Sequence, residues 1–266
     1  MLTKLALKCL ESILNLIDKR HPDKLQVLEG LLARKQGKGW GYSSTDVEAK
    51  YLRKVLNAQF TEIRKPKIFD IGANNGQYID SIIKEFESFE LIAFEPSKQC
   101  FDVLEHRFTR NRDIKVVQMS LGKSVGKEKL YYDRPGSTIA SHSESYINEF
   151  SSFVPKFQIV DVTTLDNYCS DSKVWPDVIK IDVEGFEMNV LLGAQQALEH
   201  AKVVQFEFGF ANVFSRTFFH DFYHFFANQS FSLHRIAKNG LRKVNKYSDM
   251  DECFRTTNYL AVKLEL

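Results

Sequence analysis

The chain has 266 residues, 44% of them hydrophobic, which is enough for one core and slightly long for a single domain without an extension. Its net charge of +2 is spread along the sequence with no basic block, so the electrostatic footprint of a nucleic-acid binder is missing and no nucleic-acid partner is expected. No stretch is apolar for long enough to span a bilayer, no cleavable signal is evident, and the four cysteines lack the paired spacing of a zinc or redox motif, so a cytoplasmic protein with reduced thiols is expected.

Residues 2–19 read as an amphipathic helix with Ala6, Leu10, Ile13, Leu14 and Ile17 on one stripe. Its expected use is docking on the body of the protein or, in a homo-oligomer, on a second copy, ahead of a membrane surface. Residues 37–42 form a glycine-rich linker equally suited to a lid, with Trp40 and Tyr42 able to stack on a ligand. Ser44 or Thr45 caps a helix over 46–60 that faces inward through Val47, Tyr51, Val55 and Leu56, with Leu52 a further candidate. The expected division is a helical extension over 1–60 and a main domain over 61–266.

The next stretch organises the rest. Ile68, Phe69, Asp70 and Ile71 form a strand buried on both faces, and Gly72, Ala73, Asn74, Asn75 and Gly76 make a turn into a helix that starts near Gln77. A second strand over 90–94 ends at Glu95, about twenty residues beyond Gly76, the spacing of a ribose-binding acid in doubly wound folds, and Pro96 stops it. A dinucleotide site wants a glycine where Asn74 stands, and Asp70 adds a negative charge that serves a pyrophosphate poorly. A cationic ligand with a ribose fits better: Asp70 orients the cationic side and Glu95 accepts from the diol. S-adenosylmethionine is such a ligand. An NAD-dependent oxidoreductase is the weaker alternative, and a binding module that has lost turnover is another.

A helix over 98–110 and a strand over 114–119 follow, handing over to Ser120 and Leu121. Residues 123–160 depart from alternation: 129–132 reads as an added strand, and 136–143 as a small polar loop able to cover an acceptor pocket. His142 in that loop is a candidate base or acceptor contact, against the alternative of a solvated histidine. In a strand over 177–183, Lys180, Asp182 and Glu184 share one direction, which brings two carboxylates to the ligand end. One of them can take a hydroxyl proton. A divalent metal such as Mg²⁺ is the second choice, with Asp161 or Glu207 as a third ligand. Residues 203–208 form a fifth strand, Phe218, Phe219, Phe222, Phe225 and Phe226 a core stripe, and 231–236 with 258–264 a closing pair of strands.

The segments Ile68 to Tyr78, Ala93 to Pro96, and Val178 to Glu187 with Leu191 to Ala194, taken in that order, resemble the FkbM family of class I S-adenosylmethionine-dependent methyltransferases. The resemblance covers about residues 65–260. It implies a Rossmann-like, doubly wound seven-stranded sheet and O-methylation of a small molecule or glycan, with a saccharide hydroxyl favoured. It also implies that Asp70, Gly72, Ala73, Asn74, Gly76, Glu95 and Pro96 hold the cofactor, and that Ser120 and Leu121 meet its adenine. Nucleobase amino-methylation is disfavoured, because Asp182-Val183-Glu184-Gly185 stands where such enzymes carry an Asp/Asn-Pro-Pro-aromatic motif.

Overall fold

The computed structural model describes residues 4–21, 23–39 and 44–264; Trp40 and Tyr42 lie outside them. Helices α1 (Lys4–Arg20) and α2 (Asp23–Lys35) pack on each other, yet Leu10, Ile13 and Leu16 of the first and Val27, Leu31 and Leu32 of the second stay exposed. Helix α3 (Thr45–Gln59) behaves differently. Ser44 caps it by accepting from the Asp46 N–H, and Ala49, Leu52, Val55 and Leu56 enter the core. Glu48 is buried with them, a position that the apolar pattern does not single out.

The main body alternates strand and helix: β1 (Lys67–Ile71), α4 (Gln77–Glu85), β2 (Glu90–Phe94), α5 (Lys98–Phe108) and β3 (Ile114–Val117). An insertion follows, made of β4 (Ser120–Leu121), β5 (Gly126–Tyr132), α6 (Glu144–Phe150) and β6 (Lys156–Thr163), with its own three-stranded sheet in the order β4-β6-β5. Helix α7 (Leu165–Ser172) leads back to β7 (Val178–Ile181), α8 (Glu187–Leu192), α9 (Gln195–His200) and β8 (Val203–Phe208). The chain closes with α10 (Ala211–Ser215), α11 (Phe219–Asn228), β9 (Phe231–Ala237), β10 (Gly240–Val244) and β11 (Thr257–Lys263).

The main sheet runs β10-β9-β11-β8-β7-β1-β2-β3. The pairs of β1 with β2 and β7, β2 with β3, and β7 with β8 are parallel, whereas β11 enters antiparallel between β8 and β9. This is the Rossmann-like doubly wound arrangement, with eight strands where seven are expected. The extra one arises because residues after β9 reverse into a hairpin and add β10 at the edge. Strand order reverses between β1 and β7, and that switch point opens a crevice at the strands' carboxyl ends.

Both faces of the central strands are covered. Phe69, Ile71, Ile179 and Ile181 face one core cluster and Ile68, Val178 and Val203 the other, which is why these strands read as nearly continuous apolar runs. In the phenylalanine stripe, Phe219, Phe222 and Phe226 are fully buried, and Phe206 stacks on Phe222, Phe226 and Tyr259. Phe218 is half exposed, since it precedes the helix and falls off its inner face.

Candidate active site

The crevice is shaped first by backbone. After Ile71 the chain turns at Gly72 (φ 84°), and the N–H groups of Gly72 and Ala73 both donate to the Phe94 carbonyl. Asp182 N–H donates to the Ile71 carbonyl, which brings the ends of β1 and β7 so close that a Cβ on Gly72 would lie 1.9 Å from the Asp182 carbonyl oxygen. Only glycine fits there.

Asn74 then takes a left-handed conformation (φ 48°) and donates its N–H to Glu95 Oε2 at 2.8 Å, while Ser97 N–H donates to the other Glu95 oxygen at 2.7 Å. Burial pushes Glu95 up to about 7, against the two amide bonds that favour its anion. The Asn74 amide donates to the Ser137 carbonyl, and its Oδ1 is buried with no partner among the described residues.

A cavity of about 190 Å³ lies over these turns. Of the residues expected at the site, Gly72, Ala73, Asn74, Glu95, Pro96, Ser120, Leu121, His142, Asp182 and Glu184 line it. Asp70 and Gly76 do not. Asp70 is fully buried behind the wall, 3.3 Å from Lys180 Nζ, and Gly76 opens α4 against Leu104 and Phe108. The expected contact of Asp70 with a cationic ligand is therefore replaced by a contact with a cation of the chain itself.

That cation was missed as a functional residue, although a lysine inside the apolar run Val178–Ile181 was the signal. Lys180 is buried, bridges Asp70 and Asp182 (3.2 Å), and lies 5.2 Å from the centre of the Tyr78 ring. Burial works against its charge, but Asp182, Asp70 and Glu48 more than offset that and hold its pKa above the ordinary range. Beneath it, Gln205 and Asn258 donate to the two oxygens of Glu48 at 2.6 and 2.8 Å, and Tyr78 donates to Gln205. Helix α3 thus reaches the floor of the site, and its Thr45 lines the cavity.

Strand β7 ends at Ile181, two residues earlier than expected. The N–H groups of Val183 and Gly185 both donate to Glu187 Oε1 instead of to a neighbouring strand, and Asn212 donates to the other Glu187 oxygen. This fastens a tight turn in which Glu184 adopts φ 52°. Glu184 Oε2 accepts from the Tyr146 hydroxyl at 2.6 Å, and burial, then the neighbouring Asp182, push its pKa up to about 8. The Asp182 side chain remains 34% exposed.

His142 lines the cavity from the inserted loop, its ring 5.2 Å from that of Phe186. Its Nε2 is 3.0 Å from Ser120 Oγ, and its Nδ1 is 3.0 Å from the Lys129 carbonyl and 3.3 Å from Glu128 Oε2. Burial lowers its pKa, with Glu128 acting the other way. The loop that carries it is pinned by Ser137 to Asn74 and by the Ser141 hydroxyl to the Glu184 carbonyl. Asp161 sits on the exposed face of β6, paired with Lys127, and does not join the two pocket carboxylates. Among the described residues, no three His, Cys, Asp or Glu side chains are arranged to hold a metal ion.

With this geometry in hand, comparison with known proteins is decisive. The model of the methyltransferase FkbM domain matches residues 70–233, more than half of the chain. The chain belongs to the FkbM methyltransferase family. Methyltransferase sdnD of Sordaria araneosa is 28% identical over 203 residues, which cover 62% of this chain and 75% of that protein. Among solved structures, an O-methyltransferase from Bacillus cereus in complex with S-adenosylhomocysteine aligns over 95% of this chain and 97% of its own, at 12% identity and TM-score 0.44. A putative RNA methyltransferase from Pyrococcus horikoshii aligns over 82% and 85%, at 16% identity and TM-score 0.41.

This FkbM chain is an S-adenosylmethionine-dependent methyltransferase. In its crevice the Glu95 carboxylate keeps lone pairs beyond its two amide bonds, and among the described residues Asn74 Oδ1 is a buried acceptor without a partner. Among the described residues of this methyltransferase, no helix is long and apolar enough to cross a membrane.

Proposed function

We propose that this methyltransferase transfers the methyl group to a hydroxyl of a small molecule or glycan, a saccharide being the favoured acceptor, and that Glu184 is the base. The observation that carries this reading is the unlike state of two adjacent carboxylates. Asp182 is paired with Lys180, while Glu184, raised to about 8, has an affinity for protons that suits a base near neutral pH.

S-adenosylmethionine, when bound, supplies a methyl group on a positively charged sulfur. The chain's part is positioning and proton removal. Glu95 holds the ribose, Asn74 and the turn at Gly72 hold the amino-acid end, and Asp182 lends a negative charge beside it. Glu184 accepts the acceptor's hydroxyl proton on Oε1, while the Tyr146 hydroxyl stays bonded to Oε2. The donor set favours a carboxylate base over a metal: Asp161 pairs with Lys127 on the exposed face, Glu207 lies near Asp182 and Glu184 but does not line the cavity, and among the described residues no three such side chains are arranged to hold an ion.

Calorimetric titration with S-adenosylhomocysteine, on the native chain and on Glu95→Ala, tests the cofactor half. Transfer of labelled methyl to a panel of sugars and other hydroxyl compounds, with Glu184→Gln as control, tests the rest. Methylation of an amine or carbon acceptor in preference to every hydroxyl would overturn the O-methyltransferase reading.

A further inference from the structure

The order of the strands lays the crevice out as a line. Glu95 stands at the tip of β2, the turn at Gly72 at the tip of β1, and Asp182 with Glu184 at the tip of β7. With the cofactor's ribose at the first and its amino-acid end at the second, the acceptor stands farther along the same line, where β8 is the next strand.

Strand register shows what β8 brings there. Ile181 pairs with Phe206, which places Asp182, one residue on, beside Glu207, and Glu207 in turn pairs with Asn258 of β11. Lys180 pairs with Gln205 on the same face, the face that α3 covers through the bonds of Glu48 to Gln205 and Asn258. Glu48, Glu184 and Glu187 are each held by neighbouring donors, but no described residue bonds the Glu207 carboxyl. Glu207 is partly exposed and does not line the cavity over the cofactor turns, so it belongs to the surface just beyond Asp182.

Its surroundings fix its protonation. It faces Asp182 from the end of β7, Glu184 and Glu187 from the turn and α8, and Glu48 from α3, while Lys180, the cation of this layer, is already shared between Asp70 and Asp182. Burial, then the charge of Asp182 and of the other carboxyls, raises its pKa well above the ordinary range. A neutral carboxyl has an O–H to give beside an oxygen that accepts.

We propose that Glu207 is a specificity-determining residue that donates a hydrogen bond to an oxygen of the acceptor next to the hydroxyl being methylated, so that vicinal diols, sugars among them, are selected over lone alcohols. The inference rests on the reading that this crevice methylates a hydroxyl, and it adds a group on β8 to the two carboxylates of β7. An acceptor without the neighbouring oxygen leaves the Glu207 O–H unpaired in a crevice where water is displaced.

The test is transfer of labelled methyl to a panel of methyl glycosides, each beside its monodeoxy derivatives, with calorimetric binding of S-adenosylhomocysteine as the check on folding. The native chain should favour the diol by about tenfold in kcat/KM. Glu207→Ala should lose about that factor, chiefly in KM, and the preference with it; Glu207→Gln, whose amide also donates, should lose only about threefold and keep the preference. The affinity for S-adenosylhomocysteine should hold in both variants. If Glu207→Ala fails to bind it, the preference of the native chain and of Glu207→Gln decides, together with a ¹³C titration in which the native Glu207 carboxyl should titrate well above the usual range. Equal use of diol and deoxy compounds by the native chain overturns the proposal without touching the O-methyltransferase reading. A preference that survives Glu207→Ala, a Glu207→Gln as damaging as Glu207→Ala, or a Glu207 carboxyl that titrates in the ordinary range does the same. If S-adenosylhomocysteine binds but none of the glycosides is methylated, the saccharide reading and this inference fall together.

Discussion

The tips of β1, β2 and β7 and the inserted segment between β3 and β7 meet at one cavity, but they are held by different means. The strand tips are fixed by backbone: Gly72 and Ala73 bond to Phe94, Asp182 bonds to Ile71, and Glu95 is clasped by two amides. The insertion leans on the body through side chains, by hydrogen bonds of Ser141, Tyr146 and Asn74 and by the packing of α6 on α10, and its small sheet leaves Phe157 and Ile159 half exposed. On the function proposed above, the strand tips hold the ribose and the amino-acid end of the cofactor, and the insertion covers the rest of the cavity.

Matched substitutions sharpen this contrast, and the largest effect belongs to the tips. Gly72→Ala drives a Cβ into the Asp182 carbonyl at a left-handed backbone position, so a loss of roughly 3 kcal/mol or more and of S-adenosylhomocysteine binding is expected from denaturant melts and calorimetry. Glu184→Gln should lower kcat by about 10² to 10⁴ while the dissociation constant of S-adenosylhomocysteine holds. In the native chain the rate should rise with pH up to about 8 and then level, because Glu184 must be deprotonated to act; the variant should lack that limb. A pH profile that is the same in both would remove Glu184 from the chemistry.

Smaller effects follow. Glu48→Gln puts an amide nitrogen where an oxygen now accepts from Gln205 or Asn258, and should cost about 2 kcal/mol in urea melts. Because burial raises Glu48 from 4.5 to about 8, the folded chain keeps a proton that the unfolded chain has released. This contribution to stability is whole below about 4.5 and lost as pH rises through about 8, so the variant should show a flatter decline over that range. Gly136→Ala, in the insertion, has the same sign of φ (+72°) as Gly72 but nothing within 4 Å of the added Cβ, and should cost only about 1 kcal/mol. If Gly136→Ala matched Gly72→Ala in a melt, the contrast between the two regions would fail.

Much of the tip region is legible in the chain itself. Apolar runs buried on both faces announce β1, β2 and β7, and the glycine and acid at their ends announce the turns, because strand burial and backbone sterics are local in sequence. Lys180 and Glu48 escaped because each is explained by partners far along the chain, Asp70 for one and Gln205 and Asn258 for the other. Period-two reasoning brought Asp182 and Glu184 to the cavity, yet the strand had already stopped, since Glu187 captures two amides that a neighbour strand would need. In the insertion, α6 went unseen because seven residues give too short a periodic signal, and the contacts of His142 with Ser120, Glu128 and Lys129 are assembled only by the fold.

The burial of Glu48 also bears on where this chain can be cut. The family match begins at residue 70, after the whole of α3 and inside β1, so a fragment started there would lose Lys67, Ile68 and Phe69 from the central strand. It would also strip the partner from two buried amides, Gln205 Nε2 and Asn258 Nδ2, and uncover the face of the sheet on which Leu52 and Leu56 pack. The shortest fragment expected to fold and hold its ligand starts ahead of the Ser44 cap, so the independently folding unit begins some twenty-five residues before the recognisable one.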